Sequence, residues 1–74
     1  MSAQDARRIA EEFIANQEMR GFVASFVEAH QSKSWPDSWA VNFELRSPAG
    51  GMVDGGVMVI VDATTGKARF FDSL

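Results

Sequence analysis

The run from Val57 to Val61 is the least ambiguous piece of local structure in this chain. Its apolar, mostly β-branched residues (V-M-V-I-V) end abruptly in Asp62-Ala63-Thr64-Thr65-Gly66, the pattern of a buried strand entering a tight turn. Asp62 suits that turn as a side-chain cap on backbone amides, and Gly66 as a residue free to take positive φ. Upstream, Trp39 to Arg46 alternates strictly. Trp39, Val41, Phe43 and Leu45 point one way, and Ala40, Asn42, Glu44 and Arg46 the other. The N-terminal part has a different period. Ala6, Ile9, Ala10, Phe13, Ile14 and Gln17 recur at steps of three and four, which predicts an amphipathic helix from about residue 3 to about residue 18. Ser2 and Asp5 stand at capping-box spacing before it, and Gly21 marks its exit.

Phe22 to His30 is ambiguous by pattern. Phe22, Val23, Phe26 and Val27 fit either a second helix or a strand with apolar residues on both faces. They lie about half a turn out of phase with Ile9 and Phe13 at ~100° per residue, so one straight helix cannot bury both sets. We read a strand, because the polar stretch Gln31 to Ser38 with its Pro36-Asp37 pair suits a hairpin turn. Ser47 to Gly56 reads as a long glycine-rich loop, and a closing strand is expected from about Lys67 to Asp72. The fold class predicted is α+β: one N-terminal helix packed on a four-stranded antiparallel meander sheet, with strands over about 22–30, 39–46, 57–62 and 67–72.

With 74 residues this is one domain, and chains of such length bury only about 60% of their unfolded surface. Small domains therefore need help from disulfides, a structural metal or oligomerisation. Cysteine is absent and His30 is the single histidine, which leaves oligomerisation. The net charge of −3 gives no general attraction to a phosphate backbone, so nucleic acid is not an expected partner. No apolar run approaches the ~20 residues needed to cross a bilayer, so a membrane is not expected either. The start, M-S-A-Q-D-A-R-R-I, is polar and does not read as a signal peptide, and the expected location is the cytoplasm.

Motifs for catalysis are not found, and we expect neither an enzyme nor a cofactor. Gly66-Lys67 is no phosphate loop: Val61 stands where the first glycine belongs, and Ala68 where the Ser or Thr belongs. The pairs Gly50-Gly51 and Gly55-Gly56 lack dinucleotide-binding spacing. His30 reads as a rim residue at a strand end. Asp54, Asp62 and Asp72 read as a loop residue, a turn cap and a terminal residue rather than as a metal site. Trp39 shares the parity of the core positions Val41 and Phe43. That leaves Trp35, with Lys33 close by, as the candidate ligand loop, stacking on single-stranded bases being its most specialised use.

The most informative inference is a matter of parity. One helix covers one face of a sheet. With Val57, Val59 and Val61 inward beside Ala68 and Phe70, the residues Met58, Ile60 and Phe71 turn outward, next to Lys67, Arg69, Asn42 and Glu44. An apolar patch rimmed by polar groups is more often an association surface than an accident, unless the glycine-rich loop folds over it. The expected interface is Met58, Ile60 and Phe71 with Lys67 and Arg69 as rim, serving a homodimer or a protein partner.

Trp39-Ala40-Val41-Asn42-Phe43 and Val59-Ile60-Val61-Asp62-Ala63-Thr64-Thr65-Gly66-Lys67 resemble the corresponding segments of small PepSY-like domains. The same segments are similar to small bacterial immunity proteins of the nuclear-transport-factor-like class, in which a tryptophan strand and a V-D-x-x-T-G turn recur. The resemblance implies a cystatin-like helix-on-sheet shape and supplies no catalytic residues. PepSY domains are generally extracytoplasmic and are linked to restraining peptidases. The polar start of this chain departs from that pattern and favours the immunity-type or general binding reading. The function expected is thus a non-enzymatic protein-binding or regulatory module of bacterial style, associating through its open sheet face. The alternative is a small-ligand carrier or divergent enzyme using the hollow between helix and sheet.

Overall fold

The computed structural model of the chain describes residues 1–71, apart from the side chains at positions 53 and 54. It opens with helix α1 (Ala3–Ala15), capped by Ser2 through a complete capping box. The Asp5 amide donates to Ser2 Oγ at 3.2 Å, and the Ser2 amide donates to Asp5 Oδ2 at 3.1 Å. The Ser2 amide, and after it the Ser2 hydroxyl, hold the Asp5 carboxyl below its ordinary pKa. The helix ends three residues short of the expected boundary because Asn16 closes it. Its backbone N–H reaches the Glu12 and Phe13 carbonyls, and its Nδ2 donates to Glu12 O at 2.9 Å. Gln17 is accordingly exposed and outside the apolar stripe. Arg20 (φ 53°) and Gly21 (φ 85°) then turn the chain through two left-handed residues into the sheet.

Four antiparallel strands follow in chain order: β1 (Val23–Gln31), β2 (Ser38–Arg46), β3 (Met52–Asp62) and β4 (Ala68–Phe70). The segment after Gly21 is therefore a strand and not a second helix. The expected loop Ser47 to Gly56 is much shorter than its composition suggests. Only Ser47 to Gly51 forms the turn, closed by the Ser47 amide on the Gly51 carbonyl at 2.8 Å, and β3 begins at Met52 rather than Val57. The Gly55-Gly56 pair is an irregularity inside the strand, where the β2–β3 register shifts between Phe43 and Leu45. Gly56 has φ 55°, and a Cβ there would strike the Phe43 carbonyl oxygen. Only glycine fits.

The core lies between α1 and one face of the sheet. Ala6, Ala10 and Ile14 of the helix pack on Val41, Phe43, Val59 and Val61, with Phe13 meeting Phe70 edge-on at 4.9 Å between ring centroids. Alanine at the closest helix positions lets the backbone approach the sheet. Val41, Val59 and Val61 are fully buried, each worth about 1.5–3 kcal/mol relative to exposure. Trp39 packs against this core, as its parity indicates. The exposed flank of the helix adds the ion pairs Arg7–Glu11 (3.3 Å) and Arg8–Glu12 (3.8 Å), and Arg7 lies over the Phe26 ring at 4.1 Å. No polar or charged residue is buried among the described residues.

Candidate binding groove on the open sheet face

The strands that put Val41, Val59 and Val61 under the helix must turn the residues between them to the other side. Register then aligns these into a single rung crossing the whole sheet: His30 pairs with Ala40, Ala40 with Ile60, and Ile60 with Arg69. The neighbouring rung brings Glu28 to Asn42 and Asn42 to Met58. Phe71 continues beyond β4, its amide donating to the Met58 carbonyl at 2.8 Å. The first rung, with Met58 from the second, floors a groove of about 620 Å³, with Ala40, Met58 and Ile60 at the bottom and Arg69 and Phe71 on one side.

The other wall is the β1–β2 connection, which contributes Ser32, Lys33 and Trp35. Local bonds give this loop its shape. The Trp35 amide donates to Ser32 Oγ at 3.1 Å, the Ser32 amide to the Ser38 carbonyl at 2.9 Å, and the Ser38 amide to the Trp35 carbonyl at 2.8 Å. A non-local bond fixes its position. The Ala63 amide at the start of the β3–β4 turn donates to the Asp37 carbonyl at 2.7 Å. That turn is built as expected: Asp62 Oδ1 accepts from the Thr64 and Thr65 amides at 2.7 and 3.1 Å, and Gly66 takes φ 75°.

The groove is apolar at its base and cationic at its margins. Trp35 is 69% exposed and Phe71 49%, whereas Ala40 beneath them is only 5% exposed. Lys33 and Arg69 both line it, and among the described residues no aspartate or glutamate does. Glu28 sits a rung away, accepting from Asn42 Nδ2 at 3.0 Å and lying 3.9 Å from His30 Nδ1. A second, shallower hollow of about 450 Å³ shares Met58 and extends along the same face past Asn42 and Glu44 to Val27.

Met58, Ile60, Phe71 and Arg69 of the expected interface thus come together, and Trp35, read from sequence as a separate ligand loop, joins them. Lys67 does not line the groove. It sits exposed in the β3–β4 turn, its amide donating to Thr65 Oγ1 at 3.3 Å, where strand parity no longer sets direction. His30, Ser32 and Ser38 line the groove without having been assigned to it from sequence. No hydrogen bond joins His30 to either serine, and Ser32 Oγ is used by the Trp35 amide. Of the three candidate carboxylates, Asp62 is the turn cap, while the Asp54 side chain and Asp72 lie outside the described residues. No group of three potential metal ligands occurs among the described residues, and none of their helices is long and apolar enough to cross a membrane.

Comparison of the chain with protein-family models, with characterised proteins and with solved structures finds no match. The class that fold and site define is therefore structural: a small α+β domain with one sheet face covered by its helix and the other carrying a groove.

Proposed function

We propose that this chain is a non-enzymatic protein-binding or regulatory module that associates through the open face of its sheet. The observation that carries the reading is the groove. Met58, Ile60 and Phe71 are joined by Trp35 in one concavity on the face the helix leaves uncovered. Large apolar side chains gathered in one polar-rimmed hollow have the composition of binding hot spots. The resemblance to PepSY-like domains and to small immunity proteins supports a role in restraining another protein, with the cytoplasm as the expected setting. The hollow between helix and sheet gives the ligand-carrier alternative less support, because that interface is filled by Ala6, Ala10, Ile14 and Phe13 against the valine rows.

The test is solution mass by light scattering across a dilution series, for the natural chain and for Ile60→Glu. A concentration-dependent dimer that Ile60→Glu abolishes, with its circular dichroism unchanged, supports the open face and identifies a second copy as one partner. A dimer that survives in folded Ile60→Glu refutes the open-face reading. A monomer at all concentrations removes the second copy and leaves a different protein as the partner.

A further inference from the structure

Resting on the open-face reading above, we infer that the groove receives an acidic, amphipathic segment of another protein. Its apolar side chains sit on Met58, Ile60 and Phe71, and its carboxylates meet Lys33 and Arg69. Charge complementarity carries the inference. The chain is acidic overall at −3, yet the described residues lining the groove include a lysine and an arginine and no aspartate or glutamate. Of the other carboxylates, Glu11 and Glu12 pair with Arg7 and Arg8 on the helix, Glu28 accepts from Asn42, and Glu44 stands outside the groove in the adjoining hollow. Neither Lys33 nor Arg69 has a carboxylate within ion-pair distance among the described residues.

A second copy is the poorer occupant. A two-fold, groove-on-groove pair sets the cations of one copy against the same cations of the other over an apolar seat. A segment that interleaves carboxylates with aliphatic or aromatic side chains satisfies floor and margins together. Arg69 adds the forked donor geometry that matches a carboxylate. The size agrees. The groove crosses four strands at about 4.8 Å spacing, a span of about 14 Å. That accommodates about two and a half helical turns or about four extended residues.

The test selects peptides from an unbiased twelve-residue random library on the intact chain, then titrates each recovered peptide while following tryptophan emission. The supporting result has several parts. Peptides that Ile60→Glu weakens at least about tenfold are net acidic with apolar anchors. They blue-shift emission, and Trp35→Phe removes the shift. They also lose at least about tenfold in affinity on the double variant Lys33→Glu/Arg69→Glu, with its circular dichroism unchanged. Groove-dependent peptides that are neutral or basic, or indifferent to the charge reversal, overturn this inference and leave the open-face reading standing. A dimer lost in Ile60→Glu, with no groove-dependent peptide recovered, also overturns it and makes the second copy the occupant. Where no dimer is lost in Ile60→Glu, recovered peptides that all ignore that substitution, or the recovery of no peptide at all, overturn both.

Discussion

On the helix-covered side of the sheet, Val41, Val59 and Val61 lose all contact with water. One residue along each strand, Ala40, Met58 and Ile60 floor a hollow whose walls, Trp35 and Phe71, remain wet. The same backbone carries both faces, so the difference lies wholly in side chains. The covered face sets valines and the packed rings of Phe43, Phe70 and Trp39 against Ala6, Ala10, Phe13 and Ile14 of α1, and it carries no buried polar group among the described residues. The open face uses long, adaptable or aromatic side chains, with cations, amides and hydroxyls around them. Flexible methionine and exposed aromatics leave the open face free to repack, while interlocked valines hold the covered one in a single arrangement.

The largest effect should come from placing a carboxylate on each side of that divide. Val59→Asp buries an unpaired charge where no partner exists, at a cost of more than about 3 kcal/mol. For so small a domain that abolishes cooperative thermal unfolding. Ile60→Glu, one position away, should cost about 1 kcal/mol or less in a melt while removing association. Equal destabilisation by the two would break the comparison. Next is Gly56→Ala, which combines a left-handed φ with a clash on the Phe43 carbonyl. A loss of about 1–3 kcal/mol in chemical denaturation is expected, felt on both faces because the bulge bends the strand they share. Ser2→Ala removes the helix cap and should lower stability by about 1 kcal/mol, loosening only the covered face.

The smallest effect is that of pH on the same cap. Because the folded-state pKa of Asp5 is depressed, its contribution is complete above the ordinary aspartate range and disappears as pH falls through the folded value. Helicity should therefore decline slightly on acidification in the natural chain, and Asp5→Asn should flatten that part of the titration. An unchanged slope in Asp5→Asn would assign the decline to other carboxylates.

Local periodicity explains which parts were legible in the sequence. The helical stripe from Ala6 to Ile14, the alternation from Trp39 to Phe43, the inward row of Val57, Val59 and Val61, and the Asp62–Gly66 turn are all short-range patterns, and each forms as read. Gly55-Gly56 misled because a bulge and a loop have the same composition, and only pairing with Phe43 distinguishes them. The helix end was overrun because Asn16 closes it with a side-chain bond that leaves no periodic signature. Within the candidate site, parity found Met58, Ile60, Phe71 and Arg69. It misplaced Lys67, which lies in a turn, and it left Trp35 alone. The tryptophan loop is brought to the groove by a bond from Ala63 to Asp37, between residues far apart in sequence.

That Ala63–Asp37 bond has a kinetic consequence. It ties the end of the loop carrying Lys33 and Trp35 to the start of the next turn, a backbone bond made within the chain itself and independent of any partner. The entropy of arranging that wall then belongs to folding and is not charged against complex formation. If the groove docks a segment as proposed, association should run at a rate set by collision and electrostatic steering, with no slow loop closure intervening.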